Sequence, residues 1–145
     1  MQALPHIYTV QTQGTCESQF TSSSKGIPDI IVAPPAEFGG PGDRWSPETL
    51  LLSAAANCFV LSFKAVARAS KLSWKNIHCE SIGKLDKVDR ITSFTEITTK
   101  AKLTISDPNE KDKAIKLLEK AESVCLISNS LNSTLILECD IIIEA

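Results

Sequence analysis

Arg44-Trp45-Ser46-Pro47-Glu48-Thr49-Leu50-Leu51-Leu52-Ser53-Ala54-Ala55-Ala56-Asn57-Cys58-Phe59 is the stretch whose reading decides how this chain folds. Ser46 is a natural N-cap, and Pro47 stands at the first helical position, where its missing N–H costs nothing. Glu48 follows in the first turn, beside the positive end of the helix dipole. The apolar residues continue through Leu61, Ala65 and Val66, which predicts one long helix over residues 47–69, about 35 Å at 1.5 Å per residue. They wrap around much of its circumference, so the helix is expected to be buried on more than one side.

Outward from this helix the pattern changes period. Residues 6–12, 19–22 and 30–32 read as strands around the turn Ser22-Ser23-Ser24-Lys25-Gly26, and Pro34-Pro35 stops the sheet because proline supplies no ladder donor. Residues 36–44 hold Gly39-Gly40 and Pro41-Gly42 and read as a loop. After the helix, residues 74–88 and 94–105 alternate as half-buried strands. Asp107-Pro108 opens an amphipathic helix over residues 110–124, and residues 133–144 alternate once more. The order strands, long helix, strands, helix, strand is α+β, with antiparallel sheets rather than βαβ alternation.

The chain has 145 residues, enough for a single domain (1–145) with a sizeable core. Its formal net charge of −2 comes from scattered charges, which gives no electrostatic case for nucleic acid or an anionic membrane. The N-terminus lacks a secretory pattern, and the long helix carries Ser53, Asn57 and Lys64, so the expectation is a cytoplasmic protein without a membrane role. His6 and His78 lie far apart, and no Cys/His spacing fits a zinc site, so no metal is expected. No phosphate-binding glycine motif occurs. The acidic pairs Asp86/Asp89 and Glu119/Glu122 sit among lysines on predicted solvated faces.

Five cysteines without a C-x-x-C spacing argue against both a secreted disulfide framework and a thioredoxin-type motif. Cys79 and Cys139 fall on the inward faces of predicted strands and read as core, while Cys16 lies in a polar stretch. Cys58 and Cys125 each sit on the apolar stripe of a helix, where periodicity alone reads them as small hydrophobes and a thiol pair from two helices would be a redox couple. A reactive thiol must be largely thiolate, and a guanidinium is the cation that cannot lose its proton. Arg44, with Glu48 four residues on, stands at the mouth of the helix that bears Cys58. Ten residues of straight helix separate Glu48 from Cys58, about 15 Å of rise. Either the helix is broken between them, or a second copy brings its Arg44 and Glu48 to this Cys58. The second option predicts an intimate homodimer with sites at its interface.

Pro35-Ala36-Glu37-Phe38-Gly39-Gly40, then Ser46-Pro47-Glu48-Thr49-Leu50-Leu51-x-x-Ala54-Ala55-x-x-Cys58-Phe59, then Ala121-Glu122-x-x-Cys125-x-x-Ser128 together resemble the OsmC/Ohr family of osmotically induced and organic-hydroperoxide-resistance proteins. The resemblance runs through nearly the whole chain in element order. It implies an OsmC-like α+β fold, an intertwined homodimer, and an oxidative-stress peroxidase that reduces organic hydroperoxides through a two-cysteine cycle. Cys58 would match the peroxidatic cysteine, Cys125 the resolving cysteine with which it forms a disulfide, and Glu48 the acid that orients an arginine. No bound cofactor is implied; an external dithiol such as dihydrolipoamide would be the reductant. Phe38, Trp45 and Phe59 are the apolar candidates for holding a hydrophobic substrate. Two positions depart from the pattern. The stretch Thr15-Cys16-Glu17-Ser18 has no arginine, which leaves Arg44 as the substitute, and Leu126 stands where proline usually follows the second cysteine. The alternative reading is a non-catalytic OsmC-like dimer that binds a small apolar ligand or only holds itself together.

Overall fold

The computed structural model describes residues 1–145, which divide into two compact units, Met1–Leu51 and Leu52–Ala145. The first holds a three-stranded antiparallel sheet of β1 (Gln11–Gln13), β2 (Phe20–Ser23) and β3 (Ile30–Val32). β1 is shorter than expected. Ile7, Tyr8 and Val10 have strand-like composition but lie exposed without a partner strand. A short 3-10 turn, Ala36–Phe38, interrupts the expected loop. Gly39 leaves it with φ 81°, and Gly40 passes so close to the Pro34 carbonyl that a Cβ there would collide with it. Trp45 then returns to the sheet, its carbonyl accepting from the Ala33 N–H at 3.0 Å.

The long helix α1 (Pro47–Ala69) starts and ends where its signals place it. Ser46 Oγ accepts from the Thr49 N–H at 3.1 Å, and Thr49 Oγ1 accepts in return from the Ser46 N–H at 2.9 Å, a reciprocal capping box. The helix is continuous, which removes the possibility of a break between Glu48 and Cys58. Burial within one chain differs from expectation: Ala55, Phe59, Phe63 and Ala67 are buried along a single stripe at i, i+4 spacing, while Leu61 is 65% exposed. By length and composition α1 could cross a bilayer, yet Phe59, Phe63 and Ala67 are packed into the core of the second unit.

That unit is built on β4 (Asn76–Val88), β5 (Ile91–Ile105) and β6 (Thr134–Ile143), in spatial order β4-β5-β6. β4 and β5 pair antiparallel, but β5 and β6 pair parallel, which corrects the expectation of purely antiparallel sheets. The crossover between them carries α2 (Lys111–Val124), so one βαβ unit is present after all, since parallel neighbours require such a connection. Register places Cys79, Ala101 and Cys139 in one row and Ile77, Leu103 and Ile141 in the next. These rows pack with the α1 stripe and with Ala114, Leu118 and Ala121 of α2 to form the core. A bulge between Lys84 and Leu85 breaks the alternation, and Leu85 is exposed.

Candidate active site

Helix α2 ends at Val124, and Cys125 caps it in extended conformation (φ −66°, ψ 104°). The chain then turns at once into a short 3-10 segment, Ser128–Ser130. The turn is held tightly: the Asn129 N–H donates to the Cys125 carbonyl at 3.0 Å, and the Ser130 hydroxyl to the Leu126 carbonyl at 2.7 Å. The backbone N–H groups of residues 126 and 127 are left for Cys58, and that of residue 128 for Cys125. What they face is sulfur.

Cys58 projects from α1 toward this turn, and its pKa is lowered below the ordinary thiol value of 9.0. Burial is the largest single influence and acts the other way, raising it. The Ile127 N–H, the Cys125 thiol, the Ser62 hydroxyl and the Leu126 N–H, all favouring the thiolate, together outweigh it. Ser62 is four residues from Cys58 on the same helix and so shares its face. Cys125 is fully buried, and its pKa is raised, chiefly by burial and further by the adjacent Cys58, against hydrogen bonding from the Ser128 hydroxyl and N–H. All five cysteines carry free thiols. The structure thus sets side by side two sulfurs of opposite tendency, one disposed to be thiolate and the other kept as thiol. A pair of this kind can attack an electrophile with one sulfur and close a disulfide with the other.

The remaining predicted residues fall elsewhere. Arg44 is exposed and pairs with its neighbour Asp43, its Nη1 lying 3.2 Å from Asp43 Oδ2, rather than with Glu48. Glu48 lines an apolar cavity of about 490 Å³ within the first unit, with Phe20, Phe38, Pro34, Pro35 and Val32, and its buried Oε2 has no hydrogen-bond partner. Phe38 is thus part of a cavity wall. Trp45 and Arg44 border a separate depression with Asp29 and Thr49. Phe59, expected to hold substrate, is fully buried in the core because position 59 falls on the 55/59/63/67 stripe.

Three contributors were missed from sequence. Ser62 could have been found by its i+4 spacing from Cys58. Glu122, expected on a solvated face, is half-buried, and its Oε2 is fully enclosed. Ser128, 4% exposed, stands beside both Glu122 and Cys125. The backbone donors of residues 126 and 127 carry no sequence signal, since every residue except proline has an N–H.

Comparison with known proteins yields consistent matches. Residues 40–140 match the family model described as OsmC-like protein. An organic hydroperoxide resistance protein from Xanthomonas axonopodis pv. citri is 30% identical over 127 residues, covering 86% of this chain and 87% of that protein. An uncharacterized Bacillus subtilis protein, YmaD, is 29% identical over 130 residues, covering 88% and 82%. Among solved structures, an OsmC-like protein of unknown function from Vibrio cholerae superposes with a TM-score of 0.84 at 17% identity, over 93% of this chain and 99% of that one.

Proposed function

We propose that this chain, which belongs to the OsmC-like protein family, is a thiol-dependent peroxidase that reduces organic hydroperoxides to alcohols. The single observation that carries this reading is the Cys58 sulfur, with a lowered pKa, set beside the Cys125 thiol and the N–H groups of Leu126 and Ile127. The Cys58 thiolate attacks the terminal peroxide oxygen, the O–O bond breaks, and the alkoxide leaves as alcohol once protonated. Cys58 is thereby oxidised by two electrons to a sulfenic acid. Cys125 then attacks the Cys58 sulfur; the S–S bond forms, the S–O bond breaks, and water leaves. An external dithiol returns two electrons and restores both thiols.

The surroundings support an apolar substrate. Leu61 is exposed next to Ser62 on α1. In one copy α1 is covered along a single stripe only, which supports a homodimer in which a second copy covers its apolar flank and brings its own Arg44 and Glu48 toward Cys58. The relative named for organic hydroperoxide resistance supports the reaction class.

The test is direct. Purified protein should consume cumene hydroperoxide when supplied with dihydrolipoamide, and Cys58→Ser should abolish turnover. Native-rate turnover by Cys58→Ser would remove the mechanism. Wild-type protein with no turnover and no fast-alkylating thiol at neutral pH would instead leave a non-catalytic binding protein.

A further inference from the structure

The cavity of about 490 Å³ in Met1–Leu51 has one charged group on its wall and no counter-charge. All three strands of the first sheet and the loop after them contribute to it: Thr12 from β1, Phe20 from β2, Val32 from β3, then Pro34, Pro35 and Phe38. Glu48 borders it from the first turn of α1. An apolar wall of this size with a single placed polar group is the usual make-up of a small-molecule site. Phe20 and Phe38 remain exposed on that wall, an apolar surface that a ligand would cover. Thr12 is the only other side chain there with a polar atom, and its Oγ1 already lies 2.8 Å from the Ser22 hydroxyl.

Nothing in this unit satisfies the carboxylate. Glu48 Oε2 is enclosed without a hydrogen-bond partner, and no ion pair of the chain includes Glu48. The donors at the helix start are committed elsewhere: the Thr49 N–H to Ser46 Oγ at 3.1 Å, and the Leu50 N–H to the Ser46 carbonyl at 2.9 Å. The helix dipole favours a negative charge at this end but supplies no partner atom. The basic side chains of Met1–Leu51 are all occupied away from the cavity. Arg44 is paired with Asp43 and borders the depression at Trp45. Lys25 lines a third hollow with Thr9 and Gln11, and His6 Nε2 lies 3.1 Å from the Gln2 carbonyl. A carboxylate held against apolar surroundings without a donor is costly, and whatever supplies the donor and the charge binds there.

We propose that this cavity binds a small amphiphilic amine, with the ammonium head on Glu48 and the apolar body against Phe20, Phe38 and Val32. An ammonium brings several N–H donors and the missing positive charge together, and so neutralises the carboxylate as a whole, including the oxygen that no protein donor reaches. Aromatic faces attract a cation too, so the wall and the carboxylate favour the same head group. An alcohol of the same shape supplies one donor and no charge. A carboxylate of the same shape meets like charge and has no donor to offer.

The experiment titrates the full-length protein in a calorimeter near neutral pH with three probes of one shape: phenethylamine, phenethyl alcohol and hydrocinnamate. Wild type is expected to bind the amine at least about tenfold more tightly than the alcohol, the margin of one charge-assisted bond, and hydrocinnamate weakest of all. Glu48→Gln should bring the amine down to the affinity of the alcohol. Phe38→Ala, at an exposed position whose truncation leaves the fold intact, should weaken amine and alcohol by the same factor and keep the preference. Equal wild-type affinity for amine and alcohol would overturn the site, as would an amine affinity untouched by Glu48→Gln. So would wild type that binds no amine, the result expected where a basic side chain of a second copy already sits on Glu48. Hydroperoxide turnover has no part in these readouts, so the cavity stands or falls independently of the chemistry at Cys58.

Discussion

The two units of this chain divide the chemistry unevenly. Met1–Leu51 carries the expected activators, and within it neither is engaged as expected: Arg44 is exposed and tied to Asp43, and Glu48 has a buried oxygen with no partner. Leu52–Ala145 carries both sulfurs, and it lowers the Cys58 pKa with its own backbone and hydroxyl groups and no cation. A thiolate needs donors more than it needs a formal positive charge. A guanidinium is one way to provide them, and a turn of unpaired N–H groups is another.

Removing the partner sulfur should have the largest effect on this contrast. Cys125→Ser is expected to reduce one equivalent of hydroperoxide and stop, leaving sulfenic acid on Cys58; mass spectrometry after dimedone treatment checks this, and sustained turnover would show that the second unit does not contain the whole redox couple. Next is the turn itself. Proline at 126 lacks an N–H, and the extended Cys125 before it suits a residue preceding proline, so Leu126→Pro should fold and yet lose one donor to Cys58. One hydrogen bond to a charged group is worth about 1.5–3 kcal/mol; even partial loss should raise the Cys58 pKa and slow iodoacetamide alkylation at pH 7 by about threefold or more.

A smaller effect is expected in stability. The Glu122 carboxyl is raised in the folded state, so its protonated form is favoured by folding. That contribution is complete below the ordinary 4.5 and is lost as pH rises through the folded value. Glu122→Gln should therefore melt at a higher temperature than wild type at pH 8, with the gap closing toward pH 4, and calorimetry across that range gives the answer. The smallest change is assigned to Arg44→Ala, which should alter the Cys58 alkylation rate by less than about twofold if the second unit suffices, since an exposed pair contributes little. A tenfold loss would show instead that a guanidinium from a second copy dominates.

Much of the architecture could be read from residue order, because its signals are local. Ser46 and Pro47 fix the start of α1, and Asp107-Pro108 marks the entry to α2, with Asp107 Oδ1 accepting from the Asn109 N–H at 2.9 Å. Features that depend on a distant partner were not legible. Residues 6–10 have strand composition, but no strand pairs with them. The alternation of β6 is the same whether it runs parallel or antiparallel to β5, so its direction emerges only in three dimensions. The site divides in the same way. Cys58 and Cys125 stood out by residue type and by their motif, whereas the N–H groups of Leu126 and Ile127 have no residue type to show. Glu122 was misread because its charged neighbours Glu119 and Lys120 are exposed while it faces inward. The signal lay in Leu118, Glu122 and Cys125, spaced i, i+4 and i+7 on one face.

The tight turn after α2 also bears on what oxidation does to the chain as a whole. A bond between Cys58 and Cys125 would tie the middle of α1 to the end of α2, enclosing β4 and β5 in one covalent ring. In the chain-entropy account, so large a ring handicaps the unfolded ensemble by about 4 kcal/mol. Each catalytic cycle would then alternate between a looser dithiol form and a clamped disulfide form, with the redox state of two atoms setting how readily the whole scaffold comes apart.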